Sequence, residues 1–281
     1  MWVTTPPLVT VVTPSYNYGR FIGECLESVR CQTYPRIEHV VLDACSTDET
    51  REVVQSYLGR HDLRAVFERD AGQADALNRG FAQARGDLFC WLNADDYWLN
   101  PTVVEEAVEA LRAGADVVTA GGWYVDRGGR RFRRIVARSR EQIARHLRHF
   151  DVVLQPATFW RRTAHQPLRT DLHHAFDWAL FLAMQRAGAR FDTVTREWAA
   201  YRWHDVAKTA SDPARRRAET VIIHREQFGE GSPQERWSRL VAAAYALAER
   251  QPRPLERALK RAVYVANGVV ATATRNKICS W

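Results

Sequence analysis

The first 120 residues alternate between short apolar runs and amphipathic stretches, and this alternation limits the possible folds more than any other feature of the sequence. Five runs of strand length predict β-strands at Leu8–Thr13, Ile37–Leu42, Arg64–Glu68, Leu88–Leu92 and Asp116–Ala120. The stretches between them predict helices at Phe21–Val29, Thr47–Leu58, Gln73–Ala84 and Pro101–Arg112. Strands that alternate with helices in this way form βαβ units. The sequence therefore predicts an α/β fold, in which helices flank a mostly parallel sheet.

The remainder of the chain is less regular and ends in helices. A hairpin is predicted over Gly121–Ile135, a strand at Ala157–Trp160 and a helix at Phe176–Ala187. Two extended segments are predicted at Arg190–Val194 and Glu197–Trp203. After Pro213, three helices are predicted over about 213–228, 234–250 and 254–272. These patterns divide the chain into residues 1–125, residues 126–212 and a C-terminal helical extension over residues 213–281.

The net charge of +7 is unevenly distributed along the chain. Residues 1–125 carry a net charge of −8 and residues 126–281 a net charge of +15, and nine arginines fall within residues 127–148. A basic segment can serve solubility, or it can bind nucleic acid, anionic lipid or a phosphorylated substrate. Only Phe132, and Phe150 just beyond, accompany these arginines, and no nucleic-acid-binding module is recognisable, so we expect no nucleic-acid partner.

Several common sequence signals are missing. Neither a dinucleotide fingerprint nor a P-loop follows the first predicted strand. The five cysteines show no CxxC spacing, which argues against a zinc site or a disulfide framework and favours a reducing compartment. No signal peptide and no stretch of 18 apolar residues is recognisable. We therefore expect a cytoplasmic protein.

The last predicted helix is amphipathic and basic. Apolar residues recur along it from Leu255 to Val270, and Arg257, Lys260 and Arg261 lie on the other side. Such a helix can pack on its own domain, contact a second subunit in a homodimer, or lie on an anionic membrane. A peripheral position at the inner face of the membrane is therefore one of the open expectations.

Two adjacent acids, Asp95 and Asp96, directly follow the fourth predicted strand. Ligands of open parallel sheets bind beyond the C-terminal ends of the strands. Carboxylates at that position suit a hard divalent cation, which prefers oxygen ligands and bridges to phosphate. The alternative is a solvated turn ahead of the helix that begins at Pro101.

Polar residues also follow the other three strands of this half. The loop after the first strand carries Pro14, Tyr16 and Asn17, and Tyr16 can face a base. Asp43 ends the second strand, where an acid often hydrogen-bonds a nucleoside. After the third strand come Asp70 and Gln73, followed by Asn78 within the predicted helix. Turn formation and helix capping are the competing explanations for these residues.

Three candidate residues lie later in the chain: Asp177, His204 and Lys208. A single Asp at the start of a helix is usually a cap, and a single His is usually a structural residue. Their interest comes from the whole pattern rather than from any one position.

Taken together, these residues resemble family 2 glycosyltransferases. The resemblance covers about residues 8–210 and rests on the runs VTVVTPSYNYGRFIGECLESVRCQTYP, HVVLDACSTDET and ERDAGQADALNRGFAQARGDLFCWLNADDYWLNP, followed by QPATFWRR, HHAFDWALFL and YRWHDVAKT. It implies a GT-A-type, Rossmann-like domain. Residues 1–125 then form its nucleotide-sugar-binding half and residues 126–212 its acceptor-binding and catalytic half.

The resemblance also implies roles for single residues. Pro14, Tyr16 and Asp43 fall where the family holds the nucleobase. Asp95 and Asp96 fall at the DxD-type motif, which binds the ribose and a Mn²⁺ or Mg²⁺ ion, although Asn93 stands where many members have the first Asp. Asn17, Asp70, Gln73 and Asn78 are expected to line the same donor site.

On the acceptor side, the resemblance places Asp177 at the position of the catalytic base. His204 falls where members supply a metal or diphosphate ligand, and Lys208 is a phosphate contact. A base of this kind removes the proton of the acceptor hydroxyl, and a cation neutralises the leaving diphosphate. Attack from the opposite face inverts the anomeric centre without a covalent enzyme intermediate.

The expected activity is therefore metal-dependent, inverting transfer of a hexose from a nucleoside-diphosphate sugar to an acceptor hydroxyl. UDP or TDP is the favoured nucleotide, and a saccharide or lipid-linked molecule the favoured acceptor. Cell-surface polysaccharide, glycolipid or glycoconjugate biosynthesis is the expected setting. The alternative is an inactive family member that binds a nucleotide sugar or a protein partner. This alternative predicts that residues of the DxD motif or the base position are replaced.

Overall fold

The computed structural model describes residues 5–204, 208 and 212–273. Within these residues it contains the strands β1 Val9–Ser15, β2 Ile37–Asp43, β3 Leu63–Phe67, β4 Leu88–Trp91, β5 Tyr97–Trp98, β6 Val117–Val125, β7 Arg131–Ile135, β8 Thr158–Arg161 and β9 Phe191–Arg202. The α-helices of the same residues are α1 Gly19–Arg30, α2 Thr50–Tyr57, α3 Gln73–Ala82, α4 Val103–Arg112, α5 Arg140–His146, α6 Phe176–Arg186, α7 Pro213–Phe228, α8 Pro233–Ala248 and α9 Arg253–Ala273.

The strands form one sheet in the order β3-β2-β1-β4-β8-β6-β9-β5, and β7 pairs with β6. The first four strands in this order are parallel. Beyond them the sheet is mixed, because β8 is antiparallel to both β4 and β6, and β9 is parallel to β6. The predicted α/β fold is confirmed. Since β6 and β9 run in the same direction as β4, their C-terminal ends reach the same edge of the sheet.

Helices cover both faces of the sheet, as the uninterrupted apolar runs of its central strands require. Val11 faces a core that includes Cys25 of α1 and Leu111 of α4. Its neighbour Val12 points the other way, into a core that includes Leu77 of α3 and residues of α5 and α6. This alternation is the period of two of a β-strand. It fixes which helices flank each face of the site described below.

The longest strand, β9, runs unbroken where the sequence predicts two separate extended segments. Its pairing with β6 shifts register on either side of Gly121, so that β9 carries extra residues at this point. Glycine is required here because a Cβ on Gly122 would lie 2.1 Å from the Ala199 carbonyl oxygen. A bulge of this kind bends a strand without ending it, and β9 thereby extends as far as Arg202.

The C-terminal extension consists of three helices, in agreement with the prediction. Asp212 is the N-cap residue of α7 and Ser232 that of α8, and each of these side chains accepts a backbone N–H of the first helical turn. α7 packs on α8, and α8 on α9. Among the described helices, none combines the length and the apolar character needed to cross a membrane.

Candidate active site

The loops that follow β1 and β2 are hydrogen-bonded to each other. The backbone N–H of Asn17 donates to Ser46 Oγ (2.7 Å), and the Asn17 side-chain oxygen accepts the N–H of Thr47 (2.8 Å). Asn17 has a φ of +57°, a conformation that Asn adopts more readily than most residues. The side chain predicted to contact the donor therefore braces the two loops that would surround a nucleotide.

Asp43 lies at the end of β2, almost completely buried. Its carboxylate accepts the backbone N–H of Ser46 at 2.9 Å and the Ser46 hydroxyl at 2.5 Å. The sequence predicts that the following helix begins at Thr47, but α2 begins at Thr50 and has no side-chain cap. Tyr16, by contrast, is 57% exposed above the end of β1, while Pro14 is buried within that strand. Asp43, Pro14 and Tyr16 thus lie at one end of the sheet.

Asp95 and His204 form a pair at the neighbouring strand ends. His204 Nε2 lies 2.9 Å from Asp95 Oδ2, and the imidazole is buried between the Tyr18 and Phe21 rings of the α1 region. Among the described residues, its other nitrogen, Nδ1, finds no hydrogen-bond partner. Residues 109 positions apart meet here because β9 ends beside the segment that follows β4.

Asp96 faces the protein interior rather than the cleft. Its Oδ1 accepts the backbone N–H of Arg202 at 2.9 Å, and its Oδ2 accepts Asn93 Nδ2 at 3.1 Å. Burial, followed by repulsion from Asp95, raises the pKa of Asp96 well above its usual range. Both oxygens are used within the protein, so the expectation that Asp96 itself ligates a metal has no geometric support. Its place is behind Asp95.

Arg202, which no sequence pattern singled out, connects the end of β9 to the segment that contains Asp95. The guanidinium is buried, and its Nε and Nη1 donate to the carbonyl oxygens of Asp95 and Arg127 at 2.9 Å. It also pairs with Glu24 and lies near the rings of Phe21 and Tyr97. The only signal for this role was its position two residues before His204.

A chain of amide groups connects the segment after β4 with α3 and Lys208. Gln73 Nε2 donates to Asn93 Oδ1 at 2.8 Å, and Gln73 Oε1 accepts Lys208 Nζ at 3.0 Å. Asn93 Nδ2 also donates to Gln155, which in turn donates to the Trp91 carbonyl oxygen. Gln155 was not predicted as a site residue. The structure thus joins the predicted residues Gln73 and Lys208 to Asn93 and Gln155 in one network.

Asp177 is the second residue of α6 and is half-buried. Its Oδ1 accepts the backbone N–H of the next residue, Trp178, at 2.8 Å. Burial raises the pKa of Asp177 to about 6, although the positive charge of Lys208 acts in the opposite direction. Lys208 itself lies 4.8 Å from the centre of the Phe176 ring, and burial lowers its pKa to about 8. Lys208 therefore lies between Asp177 and the Gln73–Asn93 network.

A second carboxylate, Asp151, lies close enough to Asp177 for the two charges to interact. Burial and repulsion from Asp177 raise the pKa of Asp151 well above its usual range. Asp151 also accepts the Val153 N–H in a long bond of 3.4 Å. Sequence patterns gave no reason to select it, because it belongs to an irregular segment between α5 and β8.

Two predicted donor-site residues have other partners in the structure. Asn78 uses both ends of its amide on the backbone of Leu168, at 2.8 and 2.9 Å, which leaves it out of the candidate site. Asp70 accepts the N–H of Gly72 at 2.9 Å and shapes the turn into α3. Its carboxylate acts on the local backbone ahead of α3, whose N-cap residue is Gly72 and has no side-chain cap, so Asp70 forms a turn and does not cap the helix.

Of the three predicted metal ligands, the structure brings Asp95 and His204 together and turns Asp96 away from them. In the described ranges, no group of three or more His, Cys, Asp and Glu side chains is arranged around a common point. Asp95 and His204 nevertheless offer an oxygen and a nitrogen within one contact distance, donor types that suit Mn²⁺. The pair fits a metal whose remaining ligands come from the substrate and water.

Comparison with known sequences gives a consistent match. A family model described as Glycosyl transferase family 2 matches residues 10–175, which are more than half of the chain. An uncharacterized glycosyltransferase of Mycobacterium tuberculosis is 38% identical over 129 residues, or 44% of this chain and 48% of the relative. The putative teichuronic acid biosynthesis glycosyltransferase TuaG of Bacillus subtilis is 38% identical over 94 residues, or 33% of this chain and 37% of the relative. The matched segments span less than half the length of these relatives.

Solved structures share the fold. The crystal structure of S. aureus TarS 1–349 superposes with a TM-score of 0.59 at 18% identity, over 92% of this chain and 89% of that chain. Mannosyltransferase PcManGT from Pyrobaculum calidifontis, solved in complex with GDP-Man and Mn²⁺, gives a TM-score of 0.63 at 24% identity, over 96% of this chain and 81% of that chain. The likeness extends beyond β9 and confirms the GT-A-type fold.

Proposed function

The chain belongs to glycosyl transferase family 2, and we propose that it is an inverting glycosyltransferase that uses a nucleoside-diphosphate sugar. One observation carries this proposal. The Asp95–His204 pair, suited to a metal-bound diphosphate, and Asp177, suited to a base, lie on two sides of the Lys208–Gln73–Asn93 network. An inverting transfer needs a leaving-group side and a base side in one cleft.

On the donor side, the joined loops after β1 and β2 form the proposed nucleoside site. Asp43 lies at the end of β2 with its carboxylate bonded to Ser46, and in this proposal it exchanges the Ser46 hydroxyl for the imide N–H of uracil or thymine. Tyr16 exposes a ring on which a base can stack. UDP or TDP is therefore the proposed nucleotide. TarS is known in complexes with UDP-GlcNAc and with UDP, and PcManGT in complex with GDP-Man. Proteins of this fold therefore include binders of uracil nucleotides and of guanine nucleotides.

Asp95 and His204 are the residues that would hold Mn²⁺ or Mg²⁺. Such an ion supplies positive charge to the diphosphate as the bond to the sugar breaks. Asp96, Arg202 and Asn93 hold the Asp95 backbone and the β9 terminus in place behind the pair. Lys208 provides a second positive charge next to the same cleft.

Asp177 is the proposed catalytic base. A carboxylate whose pKa is raised by burial accepts a proton more readily than an exposed one and is still ionised at neutral pH. In this proposal it removes the proton of the acceptor hydroxyl and does not contact the nucleotide. Removal of that proton allows direct attack on the sugar, which inverts the anomeric centre.

The hairpin of β6 and β7 and the end of β9 form the proposed acceptor side. Every residue of β7 except Ile135 is exposed, including Arg131, Arg133 and Arg134. The Arg133 guanidinium lies 4.1 Å from the centre of the Tyr124 ring, which also contacts the rings of Phe132, Tyr201 and Trp203. Aromatic rings beside guanidinium groups suit an anionic saccharide, either free or linked to a lipid. The relative TuaG is named as a putative teichuronic acid biosynthesis glycosyltransferase, which supports cell-surface polysaccharide biosynthesis as the proposed setting.

Contact with an anionic membrane through α9 is a separate part of the proposal. Leu255 of α9 is 48% exposed, and the same helix carries Arg257 and Arg261. One side of the helix packs on α8, where Lys260 pairs with Glu249. Sedimentation with vesicles of phosphatidylglycerol and phosphatidylcholine tests this contact, and equal binding to phosphatidylcholine alone would contradict it.

Thermal unfolding in the presence of nucleotides tests the proposed function. We expect UDP or TDP with Mn²⁺ to raise the melting temperature, because a ligand at 100 times its Kd stabilises a protein by about 2.7 kcal/mol. GDP and CMP serve as matched controls, and each nucleotide is also measured with EDTA. Stabilisation by no nucleotide would contradict the proposal, and stabilisation that is unchanged by EDTA would contradict the metal site.

A further inference from the structure

Glu219 of the C-terminal extension is bonded to the start of the helix that carries Asp177. Glu219 lies on α7 and is only 3% exposed. Its carboxylate accepts three consecutive backbone N–H groups, those of His173 (2.7 Å), His174 (2.7 Å) and Ala175 (2.9 Å). These three residues directly precede α6.

The first turn of a helix leaves N–H groups without a partner inside the helix, and a side chain of the N-cap residue usually accepts them. The N-cap of α6 is Ala175, which has no such side chain. Glu219, 44 to 46 residues further along the chain, accepts the N–H of this N-cap residue and those of the two residues before it, and so fixes the segment that leads into α6. Its negative charge also interacts favourably with the positive end of the helix dipole.

The three bonds explain why a carboxylate is stable at this buried position. Burial alone raises the pKa of Glu219, but the hydrogen bonds from His173, Ala175 and His174 outweigh it and hold the pKa below its usual value. Arg215, one turn earlier on α7, adds an ion pair at 3.3 Å. Glu219 is therefore an ionised, fully bonded group rather than a chance contact.

From this geometry we propose that Glu219 is a positioning residue for Asp177, so that the C-terminal extension forms part of the catalytic apparatus. The inference rests on the proposed function. Asp177 is only two residues beyond Ala175, and its own bond is to the adjacent Trp178 N–H. The place of its carboxylate in the cleft therefore depends on where α6 begins, and Glu219 fixes that point.

Glu219 also acts on Asp177 through its charge. The charged groups around Asp177 are Asp151 from the segment before β8, Lys208, and Glu219 from α7. Lys208 lowers the pKa of Asp177, and Glu219 raises it. Loss of the Glu219 charge should therefore lower the pKa of Asp177, whereas a group with a purely structural role would leave that pKa unchanged.

The test compares Glu219→Gln with Glu219→Asp and with a control, Glu226→Gln. Glu226 lies on the same helix and forms an ion pair with Arg169 at 2.5 Å, so its substitution removes a similar carboxylate without touching the start of α6. The first measurements need no substrate. Hydrogen exchange at residues 173–178 and the NMR titration of the Asp177 side-chain carboxyl are compared in the three variants and the wild type.

We expect Glu219→Gln to speed exchange at residues 173–175 at least tenfold and to shift the Asp177 titration to lower pH. Glu219→Asp, which keeps the charge on a shorter side chain, should recover part of both effects, and Glu226→Gln should change neither. Glu219→Asp also keeps the test valid if the Gln variant fails to fold. Unchanged exchange and titration in both Glu219 variants would overturn the inference.

Turnover then connects the geometry with catalysis. Release of UDP from UDP-glucose and UDP-GlcNAc is measured, and we expect Glu219→Gln to lower kcat at least tenfold with the donor KM within about twofold. In an Asp177→Asn background the same change should have little further effect, because residues that act through one group are not additive. Full activity of Asp177→Asn would contradict the proposed function. Loss of activity in Asp177→Asn but not in Glu219→Gln would contradict only the positioning role.

Discussion

Asp95 and Asp96 are neighbours in the chain but have opposite surroundings. The Asp95 carboxylate meets His204 at the cleft, whereas both oxygens of Asp96 bond to protein groups behind it. The sequence predicted that this pair of acids matters but not which of them faces a ligand. That distinction depends on Arg202, whose backbone N–H bonds to Asp96. The end of β9 brings Arg202 to this position, and the sequence around Asp95 and Asp96 does not show the contact.

The two acids should therefore respond differently to removal of their charge. We expect Asp95→Asn to weaken Mn²⁺-dependent UDP binding at least tenfold, because it alters a proposed metal ligand. Asp96→Asn should leave that affinity within a few-fold but lower the free energy of unfolding by about 1–3 kcal/mol, because a buried acceptor becomes partly a donor. Isothermal titration and denaturant unfolding measure both effects, and weaker metal-dependent binding in Asp96→Asn than in Asp95→Asn would contradict the assignment.

At the scale of elements, the parallel strands β1, β2 and β4 were predictable because both faces of each are buried, which leaves a continuous apolar run. The two halves of β9 were predicted as separate extended segments, but its continuity was not, because Thr195 and Arg196 interrupt its apolar pattern at the bulge. Residues such as Glu219, Asp151 and Gln155 were also missed. Each acts on a partner distant in the chain, and only the packing of whole elements brings the partners together.

The β6–β7 hairpin offers an element-level prediction. Arg133→Ala should raise the KM for an anionic saccharide acceptor several-fold and leave the donor KM unchanged, because the exposed guanidinium lies on the half-buried Tyr124 ring of the proposed acceptor face. Arg60→Ala is the matched control, since Arg60 lies 4.9 Å from the Tyr57 ring at the end of α2. Steady-state kinetics with a negatively charged and a neutral acceptor measure the effect. Equal changes in both arginine variants would contradict an acceptor role for the hairpin.

At the scale of the whole molecule, buried neutral groups limit stability in acid. His39 is fully buried on β2, where it bonds to Thr13 and His61, and burial lowers its pKa to about 3. In the unfolded chain, the imidazole of His39 has the ordinary histidine pKa of about 6.5. Above that pH both states are neutral and His39 has no effect, whereas below it the unfolded state gains protons that the folded state excludes.

We therefore expect the free energy of unfolding to fall by about 1.4 kcal/mol per pH unit below pH 6.5 from His39 alone. Urea unfolding between pH 7.5 and pH 5 measures the slope. His39→Gln, which removes the titrating group but keeps a polar side chain, should flatten the slope by about that amount. An unchanged slope would show that other groups control the acid response.

The whole molecule combines a donor half, an acceptor half and a helical extension in one proposed catalyst, and Asp177 is the residue on which the proposed chemistry depends. The measurement is transfer from the nucleotide sugar whose nucleotide stabilises the protein most, with the product anomer assigned by NMR, in the wild type and Asp177→Asn. We expect an inverted product, a rate at least about 10²-fold lower in the variant, and nucleotide affinity within a few-fold. A retained configuration, or an Asp177→Asn variant that is fully active, would contradict the account.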